Sequence, residues 1–179
     1  DSTRFALLLI DVDRFLDINE RYGSRLGDIL LASFARRMQK ALRRGDLAAR
    51  LEGDCFALLV RMGNDADEAS RLAGRFREEG RRRFEFDGQA IPLTVSVGVG
   101  VYPWDGSQGA MLLANAEVAL RAARATGGDG FQVRQALEAR ADITQVEWRA
   151  HRLLSHLREQ PVGVPRRTAC ARRRLDDAE

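Results

Sequence analysis

The sequence predicts an α+β fold, a sheet covered by helices, and three observations lead there. Apolar runs of strand length alternate with stretches of helical periodicity. Two of the strand-like runs flank a tight turn and so read as a hairpin at the centre of the chain. No apolar run approaches the ~20 residues needed to span a bilayer, so a membrane span is not expected. The order along the chain is strand, two helices, two strands, helix, strand, helix, strand. At 179 residues the chain suggests one domain with an extension.

Each element has its own signal. Phe5 to Ile10 is a short continuous apolar run, the mark of a buried strand, and Asp11-Val12-Asp13 follows it. Arg14 to Tyr22 carries Phe15, Ile18 and Tyr22 at helical spacing, and Gly23 closes that helix. Ser24 is placed to cap the second helix, whose apolar face is Leu26, Ile29, Leu30, Phe34, Met38 and Leu42, ending near Arg43. Gly45-Asp46 is a turn. Leu47 to Leu51 and Cys55 to Met62 are the hairpin strands around Glu52-Gly53-Asp54. Asp65 to Arg82 is a charged third helix, and Phe84 to Pro92 has two limbs around Asp87-Gly88. Leu93 to Tyr102, dense in valine, is a strand. Ser107 to Ala125 is a fourth helix, broken by Gly127-Gly128-Asp129-Gly130, and Phe131 to Val133 is a final edge strand.

Composition excludes several classes of chemistry. His151 and His156 are the only histidines, which disfavours a histidine metal site or a Ser-His-Asp triad. Cys55 and Cys170 make no metal or disulfide pattern, which agrees with a reducing, cytoplasmic setting. The net charge is +3, and of the 29 basic residues only Lys40 is a lysine. The arginines are not clustered on one stripe in the body of the chain, so no nucleic-acid partner is expected.

Two carboxylates stand out. Asp11 ends the first strand and Asp54 lies in the hairpin tip; if those strands are neighbours, the two converge. Two carboxylates with backbone carbonyls suit Mg²⁺, which prefers oxygen and takes phosphates as its remaining ligands. An aspartate in either place also serves as a cap or turn former.

Four separated motifs carry a family resemblance. Ile10-Asp11-Val12-Asp13-Arg14-Phe15-Leu16-Asp17-Ile18-Asn19, Gly27-Asp28, Glu52-Gly53-Asp54-Cys55-Phe56 and Val95-Ser96-Val97-Gly98 occur in the order and spacing of GGDEF domains. Between Phe5 and Val133 the chain resembles these diguanylate cyclases, which join two GTP into cyclic di-GMP. The resemblance implies an adenylyl-cyclase-like palm with a ferredoxin-like βααββαβ core and a mostly antiparallel sheet. It also implies Mg²⁺ on Asp11, the carbonyl of Val12 and Asp54, with Asp54 in the catalytic signature. Asn19 and Asp28 would bond guanine, the backbone of Arg14, Phe15 and Leu16 would follow the phosphates, and Arg124 would stand in for a phosphate-contacting lysine.

The departures from the family are specific. Glu52 replaces the first signature glycine and brings a negative charge beside a triphosphate. Cys55 replaces the fourth-position glutamate, and a thiol is a poor ligand for a hard cation. Gly128 replaces an arginine. Losing one well-placed electrostatic group typically costs ~10²–10³ in rate. The expectation is therefore a degenerate domain in cyclic di-GMP signalling that binds GTP or cyclic di-GMP, or a partner domain, rather than catalysing efficiently. The alternatives are an active cyclase working as a homodimer and a nucleotide-free interaction module.

A second site is implied by Arg43-x-x-Asp46, five residues before the signature, where the family's inhibitory site binds cyclic di-GMP; Arg75 matches its second arginine. Residues 135–160 read as a connector helix resembling the link to an EAL phosphodiesterase domain, an expected partner. Residues 161–179 read as a basic, disordered tail.

Overall fold

The computed structural model describes residues 4–63, 65 and 67–134; the proposed connector and tail lie outside them. The elements are β1 (Arg4–Val12), α1 (Phe15–Tyr22), α2 (Ser24–Ala41), β2 (Leu47–Arg50), β3 (Cys55–Met62), α3 (Glu68–Arg81), β4 (Phe84–Phe86), β5 (Gln89–Ile91), β6 (Val95–Tyr102), α4 (Gly109–Ala125) and β7 (Phe131–Val133). The main sheet has the order β2-β3-β1-β6-β7, and β4 and β5 form a separate ribbon. Every pair in the main sheet is antiparallel except β6–β7. This is the α+β cyclase-like palm that the element order and the motifs predicted.

Strand alternation sorts the two faces of β1. Ala6, Leu8, Ile10 and Val12 join the larger core, with buried Ile18 of α1, Leu30, Leu31, Phe34 and Met38 of α2, and Ala73 and Phe76 of α3. Leu7 and Leu9, with Ala57, pack beneath Leu112, Leu113, Ala116 and Leu120 of α4. That helix lies unusually close to β6. A Cβ on Gly98 would stand 2.2 Å from the Leu120 nitrogen and 2.3 Å from the Ala116 oxygen. Glycine in the strand and small residues on the helix therefore set the depth of α4 over the sheet. Arg37 joins α2 to the end of α3, donating to the carbonyls of Arg82 at 2.7 Å and Arg83 at 2.8 Å.

Several local expectations are corrected. Ser24 does not cap α2: Gly23 occupies the cap position of both α1 and α2, and no side-chain cap bond forms there. The sharp corner at Gly23 (φ 84°) leaves Ser24 already helical. Ile29 is not in the core of α2 but 36% exposed, and Leu31 takes its place. β1 continues through Asp11 and Val12, because both residues pair across to β6. α2 stops at Ala41, and Leu93 and Thr94 precede β6 rather than belonging to it.

Candidate functional site

The site forms where β1 ends between two neighbours. Asp11 pairs directly with Cys55 of β3 on one side and with Ser96 of β6 on the other. It continues the row of Leu7 and Leu9, so the carboxyl lies on the α4 face and is buried. Arg124, in the last turn of α4, donates from Nη2 to Asp11 Oδ2.

The hairpin tip closes on the same place. The Leu51 N–H bonds the Cys55 carbonyl at 2.8 Å, and the Cys55 N–H bonds the Glu52 carbonyl at 3.2 Å. Gly53 supplies the positive φ of 65° that the turn requires. Arg50 clasps the turn by donating from Nε and Nη2 to the Gly53 carbonyl at 2.9 and 2.8 Å. The Val12 N–H reaches the Asp54 carbonyl at 3.4 Å, so the two strand ends that carry Asp11 and Asp54 are tied together.

Concentrating carboxylates perturbs them. Burial first, then the negative charge of Asp54, pushes the Asp11 carboxyl from 3.8 to about 6, and the neighbouring Arg124 only partly offsets this. Burial raises the Asp54 carboxyl as well, against the pull of its own backbone hydrogen bond and of Arg124 and Arg50. Burial, Asp11 and Asp54 together push the Cys55 thiol up to about 12, so it is neutral at physiological pH.

Mg²⁺ would find only a partial set of side-chain donors here. Among the described residues, no group of three or more His, Cys, Asp or Glu side chains could hold an ion by itself. Asp11 and Asp54 do supply two hard oxygen donors, and the charge of Asp54 raises the proton affinity of Asp11, the situation a cation relieves. Mg²⁺ is commonly held by one or two carboxylates with substrate phosphates completing the shell, so the residues fit a metal that arrives with a nucleotide. Such an ion would neutralise phosphate charge and orient the phosphates.

The residues expected to face a nucleotide fall on α1, on the turn just before it and on α2. Arg14 adopts a left-handed conformation (φ 51°) just before α1, and that helix start has no side-chain cap. Free amides at a helix start, next to a left-handed residue, form an anion cradle of the kind phosphates use. Phe15 is half-buried and Leu16 is 67% exposed. Asn19 and Gly27 meet where α1 and α2 cross: a Cβ on Gly27 would stand 2.0 Å from Asn19 Oδ1. That oxygen is buried without a hydrogen-bond partner. Asp28 follows on the exposed side of α2.

The second candidate site is less assembled. Asp46 Oδ2 accepts from the Arg43 N–H at 2.8 Å, and Oδ1 accepts from the Arg61 N–H at 3.2 Å, so the carboxylate closes the α2–β2 turn. Arg43 is exposed. Arg75 lies on α3, its guanidinium 4.9 Å from the Phe76 ring centroid and its Nε buried without a partner. No hydrogen bond or ion pair joins Arg75 to Arg43 or Asp46 among the described residues.

Residue-by-residue reading missed one network. Asp13 accepts from Ser96 Oγ at 2.7 Å and from the Asp129 N–H at 2.8 Å, and its own N–H bonds the Thr94 carbonyl at 3.0 Å. Asp129 in turn takes the Arg81 guanidinium of α3 at 2.8 and 3.0 Å. A Cβ on Gly128 would fall 2.9 Å from the Asp13 carboxyl, so the residue that replaces an arginine also makes room for this link. The signal was the pairing of two quoted motifs, Asp11-Val12-Asp13 and Val95-Ser96-Val97, which only strand register brings together.

Comparison with known proteins agrees with this geometry. The family model described as diguanylate cyclase, GGDEF domain, matches residues 1–130. The chain belongs to the GGDEF family. It is 35% identical over 131 residues to the bifunctional diguanylate cyclase/cyclic di-GMP phosphodiesterase MucR of Pseudomonas aeruginosa, covering 73% of this chain and 19% of that protein. It is 41% identical over 123 residues to an uncharacterized signaling protein of Caulobacter vibrioides, covering 68% of this chain and 15% of that protein. The chain thus spans less than a fifth of the length of these GGDEF relatives. Among solved structures, the GGDEF domain of PA1120 from Pseudomonas aeruginosa superposes with a TM-score of 0.71 at 31% identity, covering 76% of this chain and 84% of that one. No helix among the described residues is long and apolar enough to cross a membrane.

Proposed function

We propose that this GGDEF domain works in cyclic di-GMP signalling as a nucleotide-sensing module, binding GTP with Mg²⁺ or cyclic di-GMP and regulating rather than efficiently synthesising. One observation carries the reading. The residue directly across the ladder from Asp11 is Cys55, a thiol kept neutral by burial and by the adjacent carboxylates. In the GGDEF signature a glutamate stands there. A neutral thiol supplies neither the charge nor the hard oxygen of a carboxylate. The binding half of the site is better kept: Asp11 and Asp54 for the metal, the uncapped start of α1 at Arg14, Phe15 and Leu16 for phosphate, Asn19 and Asp28 for guanine, and Arg124 as a phosphate cation. Arg43 and Asp46, with Arg75, are the residues for cyclic di-GMP.

Family membership does not choose between making and sensing. One relative is named a diguanylate cyclase, TpbB of Pseudomonas aeruginosa, and another a cyclic di-GMP phosphodiesterase, NbdA of the same organism. The second reading, an active cyclase as a homodimer, draws on the retained Asp11–Asp54 pair. An adjacent EAL domain is the proposed partner of the sensing form.

Calorimetric titration of the full chain tests the proposal. GTP with Mg²⁺ should bind and lose affinity in Asn19→Ala and Asp28→Ala; cyclic di-GMP should bind and lose affinity in Arg43→Ala. Wild-type turnover should be low and should rise in the double variant Glu52→Gly, Cys55→Glu. Rapid product formation by the wild type selects the cyclase reading. No heat with either nucleotide selects a pure interaction module.

A further inference from the structure

Two cations are directed to one carboxylate. Arg124 Nη2 bonds Asp11 Oδ2, and Asp11 is the residue proposed above to hold Mg²⁺. The two partners are unequal: the Asp11 side chain is 7% exposed and that of Arg124 is 50% exposed. The carboxyl is fixed in the sheet between Cys55 and Ser96. The guanidinium arrives from the solvent side, on a long side chain in the last turn of α4. A guanidinium has only donors and cannot itself become a metal ligand. While it sits on Asp11 Oδ2, it fills that coordination position and repels an approaching dication.

We propose that Arg124 gates the metal site: without nucleotide it occupies Asp11 and opposes the divalent ion, and a nucleotide phosphate opens the site by drawing the guanidinium away. Phosphate is a suitable competitor because the guanidinium fork can bond two of its oxygens at once. The donor set points the same way: among the described residues no third acidic, His or Cys side chain joins the two carboxylates, and a backbone carbonyl such as that of Val12 adds no charge, so the ion depends on phosphate. Metal and nucleotide then assist each other through Arg124 as well as through direct contact, and thermodynamic linkage makes that coupling reciprocal. A lysine would hold the gate less firmly, because it presents a point charge instead of a planar fork. The inference rests on the reading of Asp11 as a metal ligand.

Mn²⁺ alone, without nucleotide, is the probe, and free Mn²⁺ is followed by electron paramagnetic resonance on the full chain. Arg124→Gln should bind Mn²⁺ about 5- to 10-fold more tightly than wild type, the range between an exposed ion pair and a charged hydrogen bond. Arg124→Lys should change it in the same direction by less. GTP binding in the absence of metal should weaken in Arg124→Gln, and effects of opposite sign on two ligands do not come from general unfolding. Unchanged or weaker Mn²⁺ binding in Arg124→Gln, with binding abolished in Asp11→Asn, overturns the gate and leaves Asp11 as the ligand. Mn²⁺ binding that survives Asp11→Asn overturns the metal reading and the gate with it; binding absent from Arg124→Gln as from wild type overturns the gate alone, since a metal that needs phosphate is still compatible with Asp11 as its ligand.

Discussion

Replacing Asp11 by asparagine should stabilise the protein, and by an amount that depends on pH. The native state holds this carboxyl at about 6 instead of 3.8, chiefly because it is buried, with Asp54 adding to the effect. A raised carboxyl binds its proton more tightly when folded. The contribution is fully present below pH 3.8 and is lost as pH rises through about 6. At 1.36 kcal/mol per pH unit, ionising Asp11 in the fold costs about 3 kcal/mol above that range. The attraction of Arg124 is already contained in this figure, since the guanidinium is among the groups acting on the carboxyl. Asparagine has the same shape and stays neutral, so Asp11→Asn should match wild type near pH 4 and exceed it by about 3 kcal/mol at pH 8. For a domain of this size that is roughly 10 °C in melting temperature. Thermal denaturation in a chelator across this pH range measures it. A difference that is the same at pH 4 and pH 8, or a wild type more stable at pH 8, would refute the electrostatic account of the site. The pattern expected is a site residue that trades stability for binding.

Three further outcomes follow from the geometry. Cys55, with its thiol pushed up to about 12, should be alkylated by iodoacetamide at pH 8 at least ~100-fold more slowly in the native protein than in urea; peptide mass spectrometry resolves it from Cys170, and equal rates would disprove the neutral, shielded thiol. Gly27→Ala places a methyl 2.0 Å from Asn19 Oδ1 and 2.9 Å from Phe15 Cζ, but both are side-chain ends that can shift. Stability should therefore change by less than about 1.5 kcal/mol, with alanine's better helix propensity offsetting strain, while GTP affinity falls ~10-fold or more; unchanged calorimetric affinity would remove Asn19 from the guanine site. Gly98→Ala meets backbone atoms of Leu120 and Ala116 at 2.2 and 2.3 Å, so α4 must lift from the sheet; we expect a loss of ~3 kcal/mol or more in urea denaturation, and a loss under 1 kcal/mol would contradict the close packing.

The fold, and the residues that make up the candidate site, were legible in the chain because their signals are local or regularly spaced. Strand-length apolar runs, helical periodicity and a glycine turn place the elements one by one. Small misreadings arose where neighbours compete for a position. Ser24 has the chemistry of a cap, but the corner at Gly23 already serves both helices. Ile29 has the right spacing for the core, yet the α2 face turned toward β1 and α3 selects Leu31, which a single helix cannot reveal. The Arg43–Asp46 motif is visible as a pattern, but its carboxylate proves to be engaged by two backbone amides of the fold.

By itself the sequence determined the element order, the sheet-and-helix class, the identity of the motif residues and the substitutions Glu52, Cys55 and Gly128. These are properties of residue type and spacing along the chain. Only the tertiary structure decided what those residues do to one another. The strand register sets Cys55 and Ser96 on either side of Asp11, and the depth of α4, permitted by Gly98, brings Arg124 onto the same carboxyl. Burial and the charge of Asp54 then raise its proton affinity. Proton affinity and ion pairing depend on distance and on exclusion of water, and those arise only when segments far apart in the chain are packed together.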